Sequence, residues 1–147
     1  MKLSLKFIFI SAAVLVTGFN MHGAKAQSVK CFDVSSRTGW QYFDLEGPYT
    51  GIASVSGGWS VDARSYASVG PQGHNEPGLE PYNQYKYDQG YPFGALFVDI
   101  PTDGYGYVWV RGVQQLPKPI TRTAIRINDA DNALGDNSGV LRVCFNR

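Results

Sequence analysis

Short apolar runs separated by turn-forming residues recur along the chain from about residue 29 onward. The runs are rich in Val, Ile, Tyr and Trp, and none is long enough to show the periodicity of a helix, so they are typical of strands. Many short strands between frequent turns indicate one all-β domain, an antiparallel, jelly-roll-like β-sandwich over residues 27–147. The predicted strands are Val29–Val34, Trp40–Asp44, Gly51–Val55, Trp59–Asp62, Ala95–Ile100, Tyr107–Arg111, Thr121–Asn128 and Val140–Phe145.

The first 26 residues follow a different pattern. Lys2 and Lys6 precede the apolar run Phe7–Phe19, and Ala24-Lys25-Ala26 matches a small-residue cleavage site. These are the three parts of an export signal peptide, so we expect cleavage after Ala26 and a secreted or periplasmic protein. The apolar run is short for a bilayer span, and no membrane insertion is expected.

Loss of that segment changes the balance of charge. The full chain carries 13 basic and 12 acidic side chains. Removal of Lys2, Lys6 and Lys25 leaves 10 basic side chains against the same 12 acidic ones, a net charge of −2. Such a balance does not suit nucleic acid or an anionic membrane surface, so neither is expected as a partner. No stretch of sequence identifies a subunit interface, and a homo-oligomer stays an open alternative.

Two cysteines follow the predicted signal peptide, Cys31 in the first predicted strand and Cys144 in the last. In an exported chain, such a pair favours one disulfide that ties the terminal strands together. The alternative is two separate buried thiols.

The densest polar stretch is Asn128–Gly139, which holds three carboxylates and three side-chain amides. A loop this acidic repels itself unless it encloses a cation, and hard oxygen ligands suit calcium. A solvated, turn-rich hairpin is the alternative, since the same residue types dominate turns. The spacing excludes an EF-hand, because Leu134 and Val140 occupy the positions that need Gly and a bidentate Glu. A calcium ion here therefore needs a second loop.

The stretch resembles the metal loop of the PA-IL-type galactophilic lectins. In that family an Asp, a backbone carbonyl and an Asn-Asn pair followed by Ser-Gly hold a calcium ion that itself touches the sugar. The resemblance covers most of the chain after the signal peptide, with gaps. The segments that carry it, in chain order, are Gly58-Trp59, Gly70-Pro71-Gln72-Gly73, Gly94-Ala95-Leu96, Asp129, Ala133 and Gly135-Asp136-Asn137-Ser138-Gly139.

The resemblance implies the ligands of a calcium site. Counting forward from Trp59, itself expected in the core, places the second-loop carbonyl at Asp62, or at Tyr66 or a neighbour if the extra residue before Gly70 shifts the register. Calcium is therefore expected on Asp62, Asp129, Ala133, Asp136 and Asn137. Two vicinal hydroxyls of a sugar would complete its coordination, and the expected sugar-contacting residues are Glu76, Asp129, Ala130, Ala133 and Asp136.

The chain also departs from the family pattern. Asp136 replaces an amide, Glu76-Pro77 stands where the family has His-Pro, and the following Gln is missing. The loop His74–Tyr91 instead gains tyrosines, whose rings can pack against a sugar or against the loop itself. These changes predict weak binding of free galactose and a preference for neutral oligosaccharides. We expect His74, the one histidine after the signal peptide, on the surface.

The function expected from the sequence is therefore an exported, calcium-dependent lectin for a galactose-like or neutral oligosaccharide glycan, and not an enzyme. One histidine and two paired cysteines are too few for a catalytic triad or a zinc site. A calcium-stabilised structural or adhesion module without sugar binding is the main alternative. A glycosidase is a weaker one; it needs two carboxylates across a cleft, drawn from Asp62, Glu76, Glu80 and Asp88.

Overall fold

A computed structural model describes residues 28–102 and 104–147, so the predicted signal peptide lies outside the described residues. The all-β prediction is confirmed. No helix within these residues is long and apolar enough to cross a bilayer. The strands are β1 (Val29–Ser35), β2 (Gln41–Ser60), β3 (Leu96–Ile100), β4 (Gly106–Val110), β5 (Gln114–Ile127) and β6 (Ser138–Asn146), with 3-10 helices at Pro77–Tyr85 and Leu134–Asp136.

The six strands form one antiparallel sheet in the order β1-β6-β2-β5-β3-β4. The first part of β2 pairs with β5, whereas its last part, Gly51–Ser60, pairs with β6. The sheet folds over at this long strand. The ring of Phe32 on β1 lies 4.5 Å from that of Phe43 on early β2, which brings the two halves of the sheet face to face in a sandwich-like arrangement.

The three strands predicted between Trp40 and Asp62 are wrong in their boundaries, because they form the single strand β2. The turn signals inside this segment are bends within a continuous strand. Glu46 and Gly47 have positive φ angles of 57° and 140°. The pairing register with β5 shifts between Asp44 and Tyr49, the interval that contains them, and again between Tyr49 and Gly51. Bulges of this kind bend a strand without ending it.

The start of β5 was also predicted wrongly. The strand begins at Gln114, ahead of the predicted start at Thr121. Pro117 and Pro119 indicate a break, since proline cannot donate to a strand ladder. In the structure both prolines lie in a bulge, because the residues opposite Tyr49–Gly51 on β2 run from Gln115 to Ile120.

The core lies between the two halves of the sheet. Trp59 is fully buried, as expected, and its indole N–H donates to the Gly94 carbonyl over 2.8 Å. Such a hydrogen bond removes the cost of burying the indole nitrogen. Other fully buried side chains are Val34, Leu45, Leu96, Phe97, Val98, Val110, Ile125, Ile127, Leu141, Val143 and Phe145.

A disulfide joins Cys31 to Cys144, as predicted. The two residues are direct partners in the register of β1 and β6. The bond thereby fixes the terminal strands to each other at one edge of the sheet. A structural disulfide fits an oxidising, exported environment.

Candidate cation and ligand site

The acidic loop between β5 and β6 packs against the loop that follows β2. The Ala63 amide of the second loop donates to the Asp136 carbonyl of the first at 3.2 Å. Together with the Pro77–Tyr85 helix, the two loops enclose a pocket of about 430 Å³. The acidic loop lines it with the polar residues Asp129, Asn132 and Asp136 and with Ala133. The Pro77–Tyr85 helix contributes Leu79, Tyr82 and Tyr85, and the second loop contributes Asp62 and Tyr66.

Asp129 is the most confined acid of this pocket. Asp129 is 2% exposed. Its Oδ1 accepts a hydrogen bond of 3.1 Å from the Ala130 amide, whereas its buried Oδ2 has no hydrogen-bond donor. Burial raises the pKa of Asp129 to about 7, and Asp136 adds to that rise. The Asn137 side chain, the Ala130 amide and Arg126 act in the opposite direction. A buried carboxylate oxygen without a donor is costly unless a cation or a proton reaches it.

Asn137 supplies a second orphaned oxygen. The residue is 2% exposed, and its side-chain amide donates to the Ser36 carbonyl over 2.8 Å. That bond fixes which end of the side chain is nitrogen, and the buried Oδ1 has no donor. Two buried acceptors without donors, on residues eight positions apart in an acidic loop, fit a hard cation such as calcium.

The donor set is mixed. Among the residues that the structure describes, no three or more His, Cys, Asp and Glu side chains converge on one point. A cation at this loop would therefore depend on amide and carbonyl oxygens as well as carboxylates, which calcium accepts. The chain offers Asp129, Asp136, Asn137 and the Ala133 position, which caps the Leu134–Asp136 helix and lines the pocket.

The second loop offers two candidates. Asp62 lines the pocket, but its carbonyl already accepts from the Ser65 and Tyr66 amides at 3.2 and 3.0 Å. A hydrogen bond from the Ser65 side chain, followed by one from the Arg64 amide, lowers the pKa of Asp62 and keeps its carboxylate charged. Tyr66 lines the same pocket, and its carbonyl accepts from the Ser60 hydroxyl at 2.9 Å. The alternative between Asp62 and Tyr66 or a neighbour that the sequence left open therefore stays open.

Some polar residues of the acidic loop do not line the pocket and instead bond to other parts of the protein. The Asn128 side chain is fully buried and instead bonds to the backbone of Asp88, Tyr91 and Pro92. Asp131 accepts from Arg126 at 2.8 Å. Part of the charge and amide density that singled out this loop therefore has an internal role.

Arg126 holds the acidic loop in place through its guanidinium group. The residue is 1% exposed, and its guanidinium lies 3.7 Å from the centre of the Tyr87 ring. It donates to the Ile127 carbonyl over 3.1 Å and to the Asp129 carbonyl over 2.6 Å. A planar guanidinium with five N–H donors can hold two carbonyls and a carboxylate at once. One signal of this role is visible in the sequence, because Arg126 stands between Ile125 and Ile127 near the end of β5.

The structure does not bring Glu76 into the pocket of Asp129. Glu76 lines a second pocket of about 420 Å³ on the other side of the Pro77–Tyr85 helix. Its Oε2 accepts from His74 Nδ1 at 3.1 Å. The expected stand-in for the family's sugar-binding histidine thus faces the buried ring of His74.

The expectation that His74 lies on the surface is wrong. The residue is 4% exposed, and its Nε2 accepts weakly from the Val61 amide at 3.5 Å while Nδ1 faces Glu76. Burial lowers the pKa of His74, and Glu76 opposes that change. The place of His74 at the start of a loop suggested exposure, whereas its ring is buried.

Ala130 is similarly occupied. Its amide donates to the Tyr85 carbonyl at 2.7 Å and to Asp129 Oδ1 at 3.1 Å. The N–H group that a sugar would use is therefore engaged within the protein.

The carboxylates considered for a glycosidase are divided. Glu76 and Glu80 line the second pocket, whereas Asp62 lines the first. Asp88 accepts from the Tyr107 hydroxyl and from the Gly90 amide. Two of the four, Glu76 and Glu80, therefore share a pocket, and Glu76 is already engaged with His74 there.

No protein-family model matches the chain, and no curated protein matches it with significant similarity. The relation to galactophilic lectins accordingly rests on the motifs of the sequence.

Proposed function

We propose that this protein is an exported, calcium-dependent carbohydrate-binding protein. The observation that carries the proposal is the pair of buried acceptors in the acidic loop, Asp129 Oδ2 and Asn137 Oδ1, which have no hydrogen-bond donor among the described residues. Asp129 also lines the pocket. Calcium bound there would neutralise the acidic loop and present open coordination positions to two adjacent hydroxyls of a sugar. Asp129, Asp136, Asn137 and the Ala133 carbonyl are the ligands we propose, with Asp62 or Tyr66 from the second loop.

The shape of the pocket supports a sugar as the ligand. The acidic loop contributes oxygen acceptors to its lining, and the Pro77–Tyr85 helix contributes aromatic rings. A pyranose has the matching asymmetry, because its hydroxyls lie at the edge and its C–H groups lie on the ring faces. Charged acceptors form stronger hydrogen bonds than neutral ones, so Asp129 and Asp136 favour ligands that donate several hydroxyls. They disfavour acidic sugars by repulsion.

A glycan array probed in calcium and again in chelator tests the proposal. Binding to galactose-terminated or other neutral glycans that is lost in chelator supports it. Absence of binding in both conditions, together with stabilisation by calcium, would favour the structural or adhesion module. Release of a reducing sugar from the bound glycans would instead favour a glycosidase.

A further inference from the structure

Part of the tyrosine-rich loop His74–Tyr91 forms a 3-10 helix, Pro77–Tyr85. Residues three positions apart lie on the same face of such a helix. Leu79, Tyr82 and Tyr85 follow this spacing, and all three line the pocket of Asp129. Glu80 and Asn83 lie on the next face and line the second pocket. The helix is thus a ridge between the two pockets, and it presents aromatic rings to one of them.

The ridge is held in place relative to the acidic loop. The Tyr85 carbonyl at its end accepts the Ala130 amide at 2.7 Å, directly beside Asp129. The buried Asn128 side chain fixes the segment that follows the helix through Asp88. A helix backbone that is already fixed loses little conformational entropy when a ligand packs on it.

The remaining tyrosines of the tyrosine-rich loop have another role. Tyr87 packs on Arg126 and Trp40, with ring centres of Tyr87 and Trp40 5.8 Å apart. Tyr91 packs on Phe97, with ring centres 5.1 Å apart. By contrast, Tyr82 and Tyr85 have no ring partner among the described residues, and they are 51% and 43% exposed. Two rings that face a polar-walled pocket without a partner are available to a ligand.

We propose that Tyr82 and Tyr85 are specificity-determining residues that contact the ring face of the bound sugar. The inference rests on the proposed function and identifies which sugars the site takes. A galactose-configured ring carries its axial hydroxyl on one face, so the opposite face presents contiguous C–H groups. This apolar face suits aromatic residues, while the adjacent hydroxyls meet the oxygen acceptors. A glucose-configured ring also presents C–H faces, but all its ring hydroxyls are equatorial, so none is directed away from the aromatic residues toward the oxygen acceptors in the same way.

Calorimetry in calcium, with lactose as the galactose-terminated probe and maltose as the glucose-terminated one, tests this assignment. The variant Tyr82→Ala/Tyr85→Ala should bind lactose about ten-fold more weakly or worse, since each ring contributes a stacking contact. Tyr82→Phe/Tyr85→Phe keeps the rings and should bind within a few-fold of the wild type. Tyr42→Ala is the control, because Tyr42 is 82% exposed and lines a different pocket, remote from Asp129.

Calcium-induced thermal stabilisation should be equal in all four proteins, since the rings do not hold the cation. Undiminished lactose affinity in the double alanine variant would overturn the assignment while leaving the proposed function intact. Loss of the calcium response in the double alanine variant would also contradict the assignment, because the rings would then act by holding the acidic loop and not by contacting the sugar. A wild-type protein that binds no sugar in calcium would refute both proposals.

Discussion

Asn137 donates its side-chain amide to the Ser36 carbonyl across 2.8 Å, although 101 positions separate the two residues in the chain. Ser36 in turn donates from its amide and hydroxyl to the Gly139 carbonyl, at 3.2 and 3.0 Å. Gly139 has a φ of 96°, and a Cβ at this position would lie 2.2 Å from the Gly58 carbonyl oxygen. The acidic loop is therefore clamped to the β1–β2 turn, and the clamp leaves Asn137 Oδ1 free to accept.

Replacement of Asn137 by Ala should lower stability even without calcium. The change removes a buried hydrogen bond and leaves the Ser36 carbonyl unpaired, which costs about 1–3 kcal/mol. Urea unfolding in chelator measures this loss. The matched control is Asn132→Ala, because Asn132 is exposed in the same loop. Equal stability of the two variants would show that the Asn137–Ser36 bond does not hold the loop.

Replacement of Asp129 by Asn should separate calcium binding from folding. In chelator the variant should be at least as stable as the wild type, because a buried charge without a donor has been removed. Calcium at about 100 times its dissociation constant should stabilise the wild type by about 2.7 kcal/mol and the variant hardly at all. Thermal melts with and without calcium measure both effects.

Asp131→Asn is the control for that experiment. Asp131 belongs to the same loop, but its carboxylate is paired with Arg126 and its side chain is 73% exposed. Its calcium response should match that of the wild type. A response that falls equally in both variants would mean that calcium interacts with the loop only through its overall charge.

Much of the fold followed from the sequence, because strands and turns have local signals. The buried runs, Trp59 in the core and the Cys31–Cys144 bridge were all predicted. The boundaries of β2 and β5 were not, since Pro117 and Pro119 are turn signals that a bulge accommodates. Whether a proline lies in a turn or in a bulge depends on the partner strand, which is remote in sequence.

The candidate site was predictable where its chemistry is local. Asp129, Asp136 and Asn137 stand within nine positions, and their density marked the loop. Ser36 was missed because its role depends on a turn at the other end of the chain. Glu76 was expected to contact the sugar, whereas the structure places it in the second pocket beside His74, a pairing that nothing near it in sequence shows.

Removal of the disulfide should lower stability substantially. The bridge spans 113 positions, and closure of a loop of that length contributes roughly 4–5 kcal/mol in the chain-entropy model, with smaller values usual in practice. Urea unfolding of Cys31→Ser/Cys144→Ser against the oxidised wild type measures the difference. Addition of reductant to the wild type should reproduce it, and a reductant without effect would contradict a structural role for the bridge.

Acidification should destabilise the fold through His74. Burial lowers its folded-state pKa, so the unfolded chain binds the proton more readily. Stability is then complete above the unfolded pKa of about 6.5 and declines as the pH falls below it. A proton on His74 Nε2 would also point at the Val61 N–H, so two donors would face each other. His74→Gln should remove on the order of 1 kcal/mol of this decline.

The measurement is urea unfolding of both proteins between about pH 7.5 and 5, in chelator. The difference between the two curves cancels the other titrating groups, including Asp129. Parallel curves would show that His74 keeps an ordinary pKa in the folded state.

Calorimetric titration of the purified protein with sugars, in calcium and in chelator, tests the central claim most directly. We expect weak binding of free galactose, tighter binding of lactose, and little binding of a sialylated lactose, which the Asp129 and Asp136 carboxylates repel. All binding should disappear in chelator, because the orphaned oxygens of Asp129 and Asn137 would then hold no cation. Sugar binding that survives chelation, or a preference for the sialylated ligand, would contradict a calcium-dependent site for neutral glycans.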